Sequence, residues 1–389
     1  MPERLFGTLF GSPSVDAQLD DSAWLQAMLD AEAGLARAAA AAGVIPNDSA
    51  QEIAAACRAD AFDAADLGRA ALRSGNPVVP LVAALRDAVG DEARSHVHVG
   101  ATSQDIVDTA MSLVARRALG VILGELREVA AACATLAAAH RETPMSGRTL
   151  LQQAVPTTFG LKSAGWLTAI DESRVWLTRV RDERLAAQLG GPAGTLATFG
   201  SSGTVVVGEY ARVLGLAEPV VPWHTDRTRM AELASALGAA AGALGKIALD
   251  VVLLAQTEVA EVEEGEPGGS SSMPHKRNPI RAVLARACAQ RVPALAATML
   301  GAMPQEHERA TGGWHAEWET LSDLLRLTGG AATHVHVTLS GLRVHAGRMR
   351  GNLDATLDVS GDVRAVGALV DRALDAHRDV DLRLRPAAS

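Results

Sequence analysis

Gly268-Gly269-Ser270-Ser271-Ser272-Met273-Pro274-His275-Lys276-Arg277-Asn278-Pro279 is the stretch around which the rest of the chain reads. Two glycines and three serines make a segment rich in hydroxyls and poor in bulk, and His275, Lys276 and Arg277 add positive charge behind it. Asn278-Pro279 has the form of an N-cap followed by proline at the first helical position. The pattern predicts a flexible hydroxyl loop joined to a helix N-terminus, whose free N–H groups and positive dipole end attract anions. No Asp or Glu occurs between Glu266 and Glu306, whereas Lys276, Arg277, Arg281, Arg286 and Arg291 all do. In a chain of formal net charge −9 this is a local reversal of sign. Glycine and serine by themselves also suit a linker ahead of a solvated basic helix.

The 389 residues suffice for two or three domains with a large core. Hydrophobic residues make up 48% and aromatics only 3%, so the core is Ala, Leu and Val, which suits closely packed helices better than sheets. Mild acidity argues against nucleic acid as a partner. Cys57, Cys133 and Cys288 are odd in number and widely spaced, forming neither a disulfide framework nor a zinc site, which points to a reducing cytoplasm. The opening Met-Pro-Glu-Arg-Leu-Phe-Gly does not read as a signal peptide, and apolar runs such as 247–254 are too short to span a bilayer. A cytoplasmic protein with no membrane association is expected.

Apolar spacing predicts helices over 22–42, 49–59 and 78–89, which together make a small N-terminal helical domain, 1–100. Thr102-Ser103-Gln104-Asp105 has the form of a capping box. Residues 106–140 contain no proline, and a helix over them would be roughly 50 Å long. Further long helices are expected over 156–189 and 226–264, from 279 onward, and over 314–344 with Gly329-Gly330 as a weak point. Helices of this length imply a central bundle, 101–345, whose Ala-rich flanks pack between copies of the chain. Residues 188–203 read as a loop or short hairpin. A break over 354–363 and a short helix over 366–377 fall in a shortened C-terminal segment, 346–389.

Two more constellations carry chemistry. At the start of the longest helix, His98, Thr102, Ser103 and Gln104 offer an imidazole, two hydroxyls and an amide, a set able to hold a carboxylate. Ordinary N-capping by Thr102 or Ser103 accounts for the same residues. In 147–160, Arg148, Thr149 and Gln152 cluster just before a predicted helix, in what is otherwise a polar loop. The i, i+2 pairs His96/His98 and His334/His336 read as structural or surface histidines, and no metal is expected.

Residues 268–279 resemble the signature loop of the fumarase/aspartase superfamily, Gly-Ser-Ser-x-Met-Pro-x-Lys-x-Asn-Pro, matching it at every fixed position. Thr102-Ser103-x-Asp105-x-x-Asp108-Thr109 resembles the first conserved region of that superfamily. Residues 148–156 resemble the second, commonly Arg-Thr-His-x-Gln-x-Ala-x-Pro, except that Leu150 stands at the histidine. Many members carry a Glu seven residues after the loop lysine to pair with that histidine, and here Val283 stands there. Loss of both partners is coherent, since loss of one would strand a buried polar group. It also excludes a His–Glu relay. Residues 75–81, 152–160, 188–196 and 308–319 are similar to the bacterial 3-carboxy-cis,cis-muconate cycloisomerase branch. That resemblance runs from about residue 5 to Thr356, after which 357–361 join almost directly to a tail, 365–374, similar to the extreme C-terminus of the branch. Most of the small third domain is therefore expected to be missing.

The resemblance implies an all-α, fumarase/aspartase-like fold and a homotetramer in which the three regions meet from three subunits. It implies a small polycarboxylate substrate and no cofactor. The implied reaction, a step of aromatic catabolism, is lactonisation, in which a substrate carboxylate adds to a double bond conjugated with another carboxylate and the alpha carbon of the aci-carboxylate is then protonated. On this pattern Ser270 is the general acid, with His275 or His98 as the alternative proton donor. Lys276 and Asn278 hold the carboxylate that becomes the aci form. Thr102, Ser103 and Thr149 bind the others, and His98, Arg148, Gln152 and Arg281 are further contacts. The competing readings are a lyase eliminating a beta substituent from a nitrosuccinate-like or adenylosuccinate-like substrate, and a non-catalytic helical scaffold. Leu150 and Val283 weigh against the adenylosuccinate type, and retention of Ser270, Lys276, Asn278, Thr102 and Thr149 weighs against the scaffold.

Overall fold

A computed structural model of the chain describes residues 5–273, 275–355 and 363–385. The long helices are α1 (Asp21–Ala41), α2 (Asn47–Ala56), α3 (Val78–Asp87) and α4 (Ser103–Ala139), followed by a β-hairpin, β1 (Pro144–Thr149) and β2 (Gln152–Thr158). Then come α5 (Phe159–Arg179), α6 (Gly203–Leu214), α7 (Thr228–Leu254), β3 (Val262–Glu263), α8 (Ile280–Gly301), α9 (Gly313–Ser340), β4 (Arg343–Val344), α10 (Ala346–Asp354) and α11 (Val366–Arg383). Helices α4, α5, α7, α8 and α9 pack on one another as the central bundle, and α1 lies against α4. One hydrophobic cluster runs from Val15 to Met349, so the N-terminal helices and the bundle share a core.

Helix α4 starts where the capping pattern places it, with the Asp105 carboxylate accepting the Thr102 N–H at 2.9 Å. Its 37 residues extend about 55 Å, and every side chain from residue 104 to residue 115 is buried. Helix α7 is, among the described residues, the one helix long and apolar enough to cross a membrane, and 50% of its apolar window is buried inside the fold. The run at 247–254 is the end of this core helix.

Several predicted boundaries are corrected. Residues 156–189 do not form one helix. Pro156 lies in β2 among β-branched Val155, Thr157 and Thr158, which favour a pleated strand. Helix α5 begins only after the Thr158 hydroxyl accepts the Leu161 N–H at 3.1 Å, and it unwinds through a π-type turn at Val180–Arg184. Helix α7 stops at Leu254, and Val262–Glu263 pairs antiparallel with Arg343–Val344. Helix α9 runs unbroken through Gly329 and Gly330 because the N-terminal segment lies on them. A Cβ on Gly330 would stand 2.2 Å from the Phe10 carbonyl oxygen. Residues 188–203 form no hairpin, α6 follows them without having been predicted, and the last helix extends to Arg383. The predicted junction at 357–361 lies outside the described residues. Beyond it, α11 returns onto α4 and α5, burying Val370 against Ala137 and Ala164 and pairing Asp371 with Arg141 at 2.8 and 2.7 Å.

The starts of α4, α7 and α9 are joined by charge. Arg227 donates to both oxygens of Asp108, at 2.8 and 3.0 Å, and to Glu317 at 2.9 Å, and Trp314 adds an N–H to Asp108 at 2.9 Å. All three charged side chains are 0% exposed. Burial pushes the Glu317 carboxyl up, Arg227 pulls it down, and the net displacement is upward. Removing the one cation leaves two buried carboxylates together, so Arg227→Leu should lower unfolding free energy by about 3–5 kcal/mol. Urea unfolding would show it, and a midpoint equal to that of the parent protein would contradict it.

Candidate active site

The first region is built around one carboxylate. Asp105 accepts N–H bonds from Thr102 at 2.9 Å, Gly190 at 3.0 Å and Gly191 at 2.9 Å, and its Oδ1 pairs with His224 Nε2 at 2.6 Å. The glycine-rich segment is thereby drawn down onto the start of α4. Glycine is required there: a Cβ on Gly190 would meet the His224 ring at 2.6 Å, and Gly191 has φ +73°. The second half of the motif is engaged in the same work. Thr109 Oγ1 donates to Gln188 O at 3.1 Å and accepts its N–H at 2.9 Å, Ser112 donates to Ala186 O at 2.8 Å, and Gln104 donates to His224 O at 2.8 Å. Thr102 and Ser103 stay half-buried above this support. His98 sits beside them in the left-handed region, φ 64°, its Nδ1 2.6 Å from Glu32 of α1. Burial disfavours its charged form, but the Glu32 carboxylate outweighs this and holds the imidazole above its ordinary value.

The second region is a hairpin where a polar loop was expected. Thr149 pairs with Gln152 across a two-residue turn, Leu150-Leu151, with φ of 50° and 63°. Such turns favour Asn-Gly, since left-handed backbone costs an L-residue about 1–2 kcal/mol. Both leucines project into solvent, 96% and 74% exposed. Thr149 and Gln152 are exposed beside them, while Arg148 donates to both oxygens of buried Glu261, at 2.9 and 2.6 Å.

Glu261 opens an acidic run that the sequence reading passed over. Glu263 pairs with Arg277 at 2.5 Å and Arg343 at 3.2 Å. Glu264, buried, accepts the N–H groups of Ala282 at 2.7 Å and Arg281 at 3.2 Å, and the Thr338 hydroxyl at 3.0 Å. The expected open N-terminus of α8 is therefore corrected: an internal carboxylate already occupies it. Three carboxylates within four residues, just ahead of a basic run, were the available signal.

The signature loop is pinned at its neck. Gly268 and Asn278 exchange backbone N–H···O bonds at 2.8 and 2.9 Å, and Asn278 Nδ2 donates to Gly269 O at 3.3 Å. Asn278 is thus a clasp, and Pro279 precedes the helix, which begins at Ile280. Ser270 Oγ accepts the Met273 N–H at 3.2 Å and the Ser272 N–H at 3.4 Å. His275 and Lys276 are exposed, as is Arg281, whose guanidinium lies 3.4 Å from His334 Nδ1; Pro274 lies outside the described residues.

Within one chain, the acidic run brings the second and third regions under common support. Among the described residues, no hydrogen bond or ion pair links 98–109 to 268–281. Leu150 and Val283 do not form a buried pair either, being 96% and 45% exposed. A cleft of about 620 Å³ between α5 and α11, lined by Thr168, Asp171, Trp176 and Val380 among others, contains none of the motif residues.

A family model described as Lyase matches residues 12–294. The chain belongs to the lyase family. It is 47% identical over 393 residues to a 3-carboxy-cis,cis-muconate cycloisomerase of Bradyrhizobium diazoefficiens, covering 99% of this chain and 87% of that one. It is 48% identical over 360 residues to a nitrosuccinate lyase of Streptomyces davaonensis, covering 89% and 76%. The crystal structure of the 3-carboxy-cis,cis-muconate lactonizing enzyme from Pseudomonas putida superposes with a TM-score of 0.91 at 38% identity, covering 97% of this chain and 100% of that one. The mostly helical, fumarase/aspartase-like architecture of this lyase-family chain agrees with that likeness. Because Glu264 takes the Arg281 and Ala282 N–H groups at the start of α8, Glu264→Ala should destabilise the fold by about 1–2 kcal/mol. Hydrogen exchange at the Ala282 amide should accelerate, and unchanged protection there would refute this role for Glu264.

Proposed function

We propose that the chain is a cofactor-independent cycloisomerase that closes 3-carboxy-cis,cis-muconate to 4-carboxymuconolactone. The observation that carries this reading is similarity at 47% identity over 99% of the chain to a cycloisomerase, together with a signature loop whose fixed residues are all present. A substrate carboxylate adds to the ring-closing carbon, the π pair moves into the neighbouring carboxylate, and the resulting enediolate takes one proton at its alpha carbon. The nucleophile belongs to the substrate, so the addition already has the proximity advantage of an intramolecular reaction.

Ser270 is the proton donor on this reading. A serine hydroxyl is a poor acid, so the alkoxide it leaves needs stabilising. The N-terminus of α8 is engaged with Glu264, which gives that task to Lys276 and to the Met273 and Ser272 N–H groups already directed at Ser270 Oγ. Lys276 and Asn278 would bind the carboxylate that becomes the aci form. Thr102, Ser103 and Thr149 would bind the others from neighbouring copies, in a cytoplasmic homotetramer. Support for sharing comes from the separation of the first and third regions within one chain and from the exposure of the Leu150-Leu151 tip. The divisions at residues 100 and 345 are proposed on the same family pattern.

A second reading, elimination of a beta substituent from a substituted succinate, is favoured by the 48% identity to a nitrosuccinate lyase. There Ser270 would act as base on the proton alpha to a carboxylate. Either way Ser270→Ala should reduce turnover at least a hundredfold, about 2.7 kcal/mol. Loss of diene absorbance from the muconate would report it, and a reduction under fivefold would remove Ser270 from the role.

A further inference from the structure

The cations beside the signature loop are not equally free. Arg277 is paired with Glu263 at 2.5 Å. Arg281, exposed in the first turn of α8, makes no salt bridge among the described residues. Its backbone N–H goes to Glu264 at 3.2 Å, and its guanidinium meets an imidazole, Nη1 to His334 Nδ1 at 3.4 Å. His334 lies in α9, 3% exposed, and its other nitrogen, Nε2, is 2.9 Å from the Leu9 carbonyl oxygen. A carbonyl only accepts, so Nε2 carries the hydrogen, and the neutral ring keeps a lone pair on Nδ1 for Arg281. Burial and the Arg281 charge outweigh the Leu9 carbonyl and hold the imidazole below its ordinary value.

The consequence is electrostatic. A carboxylate partner would orient the guanidinium and also neutralise it. A neutral imidazole orients it and leaves its charge, with the rest of its N–H fork available to a carboxylate. The loop neck is adjacent: Gly268 exchanges backbone bonds with Asn278, and a Cβ on Gly268 would stand 2.2 Å from Ile280, the residue before Arg281. Helical side chains lean toward the helix N-terminus, which here is the loop side. The N-terminal segment supplies the fixed point. Leu9 O sets the His334 tautomer, while Phe10 O accepts the Cys288 thiol at 3.4 Å and lies over Gly330.

We propose that His334 is a positioning residue that holds Arg281, still charged, to receive a substrate carboxylate beside the signature loop. The proposal rests on the polycarboxylate reading above. Arg281→Met should raise KM for 3-carboxy-cis,cis-muconate about tenfold or more while kcat stays within about threefold. His334→Leu removes the acceptor and should raise KM about fivefold, and the double variant should be no worse than Arg281→Met alone. His334→Asn, whose amide oxygen can stand near the place of Nδ1, should keep KM within about twofold of the parent. A role confined to packing would move the unfolding midpoint and leave KM at its parent value, or add its effect to that of Arg281→Met. Either KM result overturns the proposal. Calorimetric titration with propane-1,2,3-tricarboxylate separates this from failure of the functional reading. A parent protein inactive on the muconate would sink the cycloisomerase reading alone. Tricarboxylate binding weakened by Arg281→Met and by His334→Leu, without addition in the double variant, would then still support His334. Equal behaviour of all these proteins, absence of binding included, would overturn it.

Discussion

Four hydrogen bonds converge on Asp105 in a site closed to solvent, and the active end of the molecule is organised by them. A buried carboxylate is tolerated only when its lone pairs are filled. Filling these ones requires the turn at Thr102, the glycines at 190 and 191 and the ring of His224 to be where they are. The next two turns of α4 repeat the theme with Asp108, Thr109 and Ser112, so the helix start, the glycine segment and the approach to α7 form one rigid body. Thr102 and Ser103 are presented from that body.

The third region is held by the opposite arrangement, a mobile composition made to stand still at its ends. Glu261, Glu263 and Glu264 fasten, in order, the turn end of the hairpin, the loop's Arg277 and the first amides of α8. The backbone exchange between Gly268 and Asn278 then closes the neck. What remains free is the serine-rich span between, where Ser270 gathers two amide N–H groups. The loop is thus anchored at its base, while Ser271, Ser272, Met273, His275 and Lys276 are exposed.

Much of this was legible from residues alone. The long α4 followed from an unbroken proline-free run and its cap, and the motif residues followed from resemblance to the superfamily's conserved regions. The hairpin was hidden because its turn carries Leu150-Leu151 where turn chemistry calls for Asn-Gly, so nothing local announced a reversal. Gly329-Gly330 looked like a helix break because the residues that press on them, Phe10 and Val15, are more than three hundred positions away. The α8 N-terminus reads as open to a ligand because Glu264, sixteen residues before Ile280, falls at the end of the helix expected over 226–264.

The central claim, that this fold closes a tricarboxylate diene into a lactone, is tested most directly by proton NMR of the product formed in D2O. 3-Carboxy-cis,cis-muconate and nitrosuccinate would be offered side by side to the purified protein. The account predicts a lactone carrying one deuteron at the carbon alpha to the former conjugated carboxylate, with nitrosuccinate left unchanged. Consumption of nitrosuccinate with release of nitrite, and an untouched muconate, would contradict it.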